Sequence, residues 1–243
     1  MTLAYDGGDF HGWQYQPSLP TVQGLVTQAC ERVLGTPTRV VGASRTDAGV
    51  HALGQVASLT TASSIETEQL GRALNALLPP AIRILEAREA PEGFDARRSA
   101  LGKRYGYLID RRAVADPFWR PYAHHVPHDL DARAMSEALR SVRGTHDFTS
   151  LCAAAGRDRN PTCTVRSARI VTGRGRLAIF VSADSFLHHM VRNLVGSLLE
   201  IGRGARAPQW LADVLAAKNR SLAGPTAPAR GLALVRVLYP RSH

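Results

Sequence analysis

Apolar residues recur along this chain at two spacings, and each change of spacing marks an element. Leu3 to Tyr5 alternates as a short strand and ends in the turn signal Asp6-Gly7-Gly8-Asp9. Behind Thr21, an N-cap residue type, Val22, Leu25, Val26, Ala29, Cys30, Val33 and Leu34 fall on one helical face, and Gly35 stops it. Glu66 to Leu78 repeats the helical spacing up to Pro79-Pro80, and Ile82 to Leu85 reads as a strand. Further on, the pattern predicts a strand over Lys103–Ile109, a helix over Asp131–Val142 closed by Gly144, and a hairpin of Val165–Val171 with Leu177–Ala183. Leu187 to Ile201 is the most apolar helix, Pro208 opens a shorter one through Trp210, Leu211, Val214 and Leu215, and Leu232 to Tyr239 closes as a strand.

Helices interleaved with adjacent strand pairs fit an α+β fold with mixed or antiparallel sheet better than a parallel doubly wound one. No low-complexity linker interrupts the 243 residues. Leu34-Gly35-Thr36 and Val142-Arg143-Gly144-Thr145 each follow a helix with a glycine stop and a polar loop, which hints at two related halves.

The stretch from Val40 to Leu59 does not fit either spacing throughout. An apolar run ends at Val41, small and polar residues follow through Asp47, and alternation resumes after Gly54 at Val56, Ser58 and Thr60, giving strand, structured loop, strand. If Arg45-Thr46-Asp47 is extended, Arg45 and Asp47 project to one side, between Gly42 and Gly49. A carboxylate beside a guanidinium stays ionised at neutral pH and is available as a nucleophile or base. An anonymous Arg-x-Asp is more often a structural ion pair closing a loop.

Composition narrows the partners. A formal charge of +10 and a pI near 10.3 favour a polyanion, nucleic acid first. Of the 30 basic residues only Lys103 and Lys218 are lysines, and guanidinium suits phosphate forks and base stacking. No apolar run approaches the ~18–20 residues that span a bilayer, and Met-Thr-Leu-Ala-Tyr-Asp lacks the basic-then-apolar order of a signal peptide, so a cytoplasmic location is expected. Cys30, Cys152 and Cys163 have no disulfide or zinc spacing, and neither do His51, His188 and His189; no metal site is expected.

The string Arg-Thr-Asp-Ala-Gly-Val-His-Ala, residues 45–52, resembles the signature of the tRNA pseudouridine synthases of the TruA type. The likeness extends through Tyr5-Asp6-Gly7, Phe10-His11-Gly12-Trp13-Gln14, Thr21-Val22-Gln23, Leu74-Asn75-Ala76-Leu77-Leu78-Pro79, Phe94-Asp95-Ala96-Arg97, Gly144-Thr145-His146-Asp147-Phe148 and Met190-Val191-Arg192-Asn193. These blocks stand in the family's order and cover nearly the whole chain. The family usually has glycine before the Arg-Thr-Asp string, where Ser44 stands here; a positive φ at that position would disfavour serine.

The resemblance implies two α+β subdomains meeting along a shared sheet around a central catalytic cleft. The boundary falls near Ala100, so that residues 1–100 carry the Asp loop and residues 101–243 form the second subdomain. It implies conversion of uridine to pseudouridine at tRNA positions 38, 39 and 40, in the anticodon stem-loop, with Asp47 as nucleophile and Arg45 as its charge partner. It implies no cofactor and a homodimer. Tyr105, in Lys-Arg-Tyr-x-Tyr, takes the place of the family's stacking tyrosine; Lys103 shares its strand face, and Arg192 is a further substrate-binding candidate. Tyr107 is left as structural. A non-catalytic, basic tRNA-binding protein or chaperone explains the charge and aromatics equally well, but binding alone needs no acidic residue among phosphates. An RNA-hydrolysing metalloenzyme is a more distant alternative.

Overall fold

The computed structural model describes residues 1–153 and 160–240. In chain order the strands and α-helices are β1 (Thr2–Tyr5), α1 (Val22–Leu34), β2 (Val41–Gly42), β3 (His51–Ser58), α2 (Thr67–Leu77), β4 (Ile82–Glu86), β5 (Gly102–Asp110) and β6 (His124–His125), then α3 (Ala132–Ala138), β7 (Gly144–Asp147), β8 (Thr162–Gly173), β9 (Arg176–Ala183), α4 (Met190–Gly202), α5 (Trp210–Ala217) and β10 (Leu232–Leu238). The fold is α+β with mostly antiparallel pairing. Two compact units form: Met1–Leu101 with Ala233–His243, and Gly102–Leu232. The sequence-based boundary near residue 100 counts β10 with the second half; from Ala233 on, this strand clusters with the first unit.

In the first unit the strands run β4-β1-β3-β10, with β2 on β3. The pair β10–β3 is parallel, Ala233 opposite His51 and Leu234 opposite Ala52. Helix α1 begins and ends where its cap residues dictate. The Thr21 hydroxyl accepts from the Gly24 amide at 3.3 Å, and Gly35, at φ 71°, returns its amide to the Glu31 carbonyl. Helix α2 is tied to β4 by the Asn75 carboxamide, which donates to the Ile84 carbonyl at 2.9 Å and accepts from the Ile84 amide at 2.8 Å. Leu3, Trp13, Val22, Val26, Leu74 and Ile82 fill the core beneath.

The second unit is built on β5-β9-β8-β7, with the two-residue β6 parallel to the end of β5. Strands β8 and β9 turn through Arg174-Gly175, both at positive φ (47° and 76°), as a two-residue hairpin turn requires. The helix expected over Asp131–Val142 is α3 followed by a 3₁₀ turn at Leu139–Val142, with the Asp131 carboxylate capping the Arg133 and Ala134 amides at 2.9 Å each. Helix α4 starts at Met190, three residues later than the apolar pattern suggests, because His189 sits at φ 60° and cannot extend the helix backward. Tyr107, Ile109, Met135, Leu177, Ile179, Leu194 and Leu198 make up the core of this unit. Strands β6 and β7 escape a sequence reading because they are short and carry no apolar alternation. No helix among the described residues is long and apolar enough to cross a membrane.

Candidate active site

The loop between β2 and β3 holds Arg45, Thr46 and Asp47, and it is fastened from three sides within the first unit. Burial alternates through it: Arg45 is exposed, Thr46 buried, Asp47 half-buried. That alternation is the signature of an extended segment and places Arg45 and Asp47 opposite to Thr46.

The inward side chain is the first fastening. The Thr46 hydroxyl lies 2.8 Å from the Tyr5 hydroxyl on β1, and the Thr46 carbonyl accepts from the Trp13 amide at 3.0 Å. Tyr5 and Trp13 are themselves buried and stacked, their ring centroids 6.2 Å apart.

The second fastening is Gln55, a wholly buried carboxamide on β3. Its Nε2 donates to the Ser44 carbonyl at 2.7 Å and to the Tyr5 hydroxyl at 3.4 Å, and its Oε1 accepts from the Ser44 amide at 3.2 Å. One side chain therefore reads both backbone groups of the residue that precedes the Arg-Thr-Asp string, in place of a strand partner. Ser44 itself has no positive φ, so serine in the family's glycine position carries no left-handed strain.

The third fastening is a turn that reverses the chain after Asp47. The Asp47 carbonyl accepts from the Val50 amide at 3.1 Å, and Gly49, at φ 74°, supplies the positive φ such a turn needs at its third position. Gly49 also donates to the Phe10 carbonyl at 3.2 Å, which pins the turn to residues 7–13. There Gly12, at φ 88°, approaches so closely that a Cβ would stand 2.6 Å from the Thr46 carbonyl oxygen and 3.1 Å from the Ala48 nitrogen. Just past the turn, His51 Nδ1 lies 3.0 Å from the Gly7 amide and 3.0 Å from Asp6 Oδ1, so the histidine of the signature string ties β3 back to the loop after β1.

The remaining candidates lie in the second unit. Lys103 and Tyr105 stand on β5 opposite Ala183 and Val181 of β9, and they share a strand face as alternation requires. Tyr105 is 6% exposed and meets Phe186 edge to face, centroids 4.9 Å apart. Tyr107 is completely buried and donates its hydroxyl to the Pro228 carbonyl at 2.8 Å; burial pushes its ionisation up, against the opposing pull of Arg192 and Arg230. Arg192, in the first turn of α4, is half-buried and donates from Nε to the Ala227 carbonyl at 2.8 Å.

Sequence reasoning singled out the loop and missed its supports. Tyr5, Gly12, Trp13 and Gln55 show in the sequence only as members of short blocks or as one polar residue within an alternating strand. Gln55 shares the buried face of β3 with Ala57, opposite to the half-buried Val56 and Ser58. The alternation over Val56, Ser58 and Thr60 belongs to a strand that begins earlier, at His51, and ends at Ser58.

A family model described as tRNA pseudouridine synthase matches residues 1–97 and 138–240. The chain is 46% identical over 241 residues to the tRNA pseudouridine synthase A of Moorella thermoacetica, covering 98% of each. It is 45% identical over 240 residues to that of Solibacter usitatus, covering 98% of this chain and 97% of the relative, and 45% identical over 238 residues to that of Geobacillus kaustophilus, with 98% and 92% covered. With both the family model and near-full-length relatives in agreement, this chain belongs to the tRNA pseudouridine synthase family.

Proposed function

We propose that this enzyme isomerises uridine to pseudouridine at positions 38, 39 and 40 of the tRNA anticodon stem-loop, in the cytoplasm, with Asp47 as the nucleophile. The observation that carries the reading is the threefold fastening of the Asp47 loop. A half-buried carboxylate on a segment tied down through Thr46, Ser44 and Asp47's own carbonyl is held in one place, as a nucleophile must be and a solvated surface acid need not be.

The reaction breaks the bond between uracil N1 and ribose C1′, turns the freed base, and joins its C5 to C1′, with the C5 proton lost to solvent and one proton taken up at N1. No hydride or external group is taken up, so the chemistry itself requires no organic cofactor. The Asp47 carboxylate acts at C1′, at the base, or through a glycal. Arg45, two residues away and exposed, supplies positive charge on the same loop.

A stacked base must leave its stack to react, which costs a few kcal/mol. Tyr105 offers a ring to receive it, and Lys103 and Arg192 bind the adjoining phosphates; stacking on an aromatic side chain contributes roughly 1–3 kcal/mol per base. The arginines are spread along the whole chain, not gathered in a tail, and two copies of a 26.3 kDa subunit join two such surfaces against one L-shaped RNA. We therefore read the active form as a homodimer, whose mass by light scattering is twice that of the chain; a fully active monomer would remove the dimer from the proposal.

Tritium release from [5-³H]uridine tRNA tests the activity directly. Mass spectrometry of cyanoethylated tRNA, from cells with and without the protein, locates the modified positions. Loss of pseudouridine elsewhere in the tRNA, with 38 to 40 intact, would reassign the target.

A further inference from the structure

Between β5 and β6 the chain leaves the sheet for residues 111–123, and both ends of this excursion are tied down. The Arg111 amide donates to the Gly175 carbonyl at 2.9 Å, and the Val126 amide to the Asp110 carbonyl at 2.8 Å. Inside it runs a connected set of ion pairs. Arg112 donates from Nε and Nη2 to the two oxygens of Asp110 at 2.8 Å each, and its Nη1 lies 3.0 Å from Asp116 Oδ2. Arg176, at the start of β9, reaches the same Asp116 oxygen at 3.0 Å and lays its guanidinium over the Trp119 ring, 4.4 Å from the centroid. Asp116 also shapes the turn that follows it: its Oδ1 accepts from the Phe118 amide at 2.9 Å, and its carbonyl from the Trp119 and Arg120 amides at 3.2 and 2.9 Å.

What this fixed turn holds out to solvent is apolar. Val114 is 81% exposed, Phe118 84% and Trp119 41%. With roughly 150–250 Å² available on a large aromatic side chain, the three together present on the order of 300–400 Å², the size of patch that marks an interaction site. That is enough to form the apolar centre of the ~800 Å² that each partner buries in a standard protein interface. The exposed Arg120 and Arg174 supply a polar rim.

We propose that the turn around Phe118 and Trp119 is the surface through which two copies of this chain associate. The inference rests on the reading of the active form as a homodimer and gives that dimer its contact. Charge decides between RNA and protein as the occupant. The two guanidiniums nearest Trp119 are held by the Asp110 and Asp116 carboxylates, so they are engaged where phosphates would need them, and the two acids oppose a polyanion. Charge also favours a second copy: two arginines and two aspartates balance within the network, so a two-fold axis that brings the same surface against itself sets no uncompensated charge of this network against its like.

Phe118 is exposed, so Phe118→Asp leaves the core intact, and circular dichroism should show the wild-type fold. Light scattering at micromolar concentration should give twice the 26.3 kDa chain mass for the wild type and the single chain mass for Phe118→Asp. The dimer dissociation constant should rise by about a thousandfold, because two-fold symmetry counts a lost anchor twice. Val114→Asp should act in the same direction, and Phe118→Leu, which stays apolar, should remain a dimer. A doubled mass for both aspartate variants would place the contact elsewhere and overturn the inference while the homodimer stands. If those variants keep the doubled mass but show a raised KM for tRNA, the patch belongs to RNA and the inference falls as well. A wild-type protein at the single chain mass would overturn the homodimer reading itself, and the inference with it.

Discussion

The hydroxyls of Tyr5 and Thr46 stand 2.8 Å apart although 41 residues separate them, and both are buried. This contact joins the first strand to the middle of the signature string, and the Gln55 carboxamide reaches the same Tyr5 oxygen at 3.4 Å. The position of the Asp47 loop therefore depends on β1 and β3 as well as on the loop itself.

Changes to that support should cost activity out of proportion to their size. Gln55→Leu leaves the Ser44 amide and carbonyl without their side-chain partner and should lower stability by about 1–3 kcal/mol per group left unsatisfied. Tyr5→Phe removes one hydroxyl and should cost less. Urea unfolding beside tritium-release kinetics checks both; in each variant kcat should fall while the fold persists. Unchanged kcat in Gln55→Leu would mean that the loop is held without it.

Asp47→Asn keeps the shape of the side chain and removes its charge. Turnover should fall by a factor of about 10³ or more, as expected when a nucleophile is lost. Affinity for tRNA, read by filter binding, should hold or rise slightly, since a negative charge near phosphates is gone. Substantial turnover would take Asp47 out of the mechanism.

Tyr105 separates a ring from a hydroxyl. Tyr105→Phe retains the ring and its edge contact with Phe186, whereas Tyr105→Leu loses both. If the ring stacks on the base, Tyr105→Leu should lose far more activity, in line with the roughly 1–3 kcal/mol of base stacking. A fall in both variants assigns a proton-relaying role to the hydroxyl as well. Near-wild-type activity in both would place Tyr105 in the core alone.

Acid should weaken the second unit in a defined window. Burial lowers the pKa of His124 from its ordinary 6.5 to about 4, helped by Arg230 and Arg203 nearby. The unfolded chain then binds a proton that the folded chain refuses, so stability falls as pH drops from about 6.5 toward 4 and levels off below it. Asp110 works at lower pH. The Arg112 guanidinium, donating from Nε and Nη2 at 2.8 Å each, holds its carboxyl well below the usual carboxylate range, so that contribution survives until stronger acid. Urea midpoints at pH 7 and pH 5 should converge more closely for His124→Gln than for the wild type. An identical loss in both would assign the acid sensitivity to other groups.

The sequence by itself determined the elements whose signals are local. Helix α1 runs between Thr21 and Gly35 as its caps dictate, the β8–β9 hairpin turns within the stretch its glycines mark, and the Arg45–Asp47 string identified the family, because caps, turns and contiguous motifs depend on neighbours in the chain. Tertiary structure alone decided the rest. Nothing in residues near Gln55 says that its amide replaces a strand partner for Ser44, and nothing near Asn193 says that Thr226 and Arg220 meet on its oxygen. The choice of β10 as the parallel partner of β3 likewise joins residues about 180 positions apart, a pairing set by burial of long-range surfaces and not by local preference. A buried polar side chain must find its partners wherever the fold brings them, so its role becomes legible only once the chain has folded.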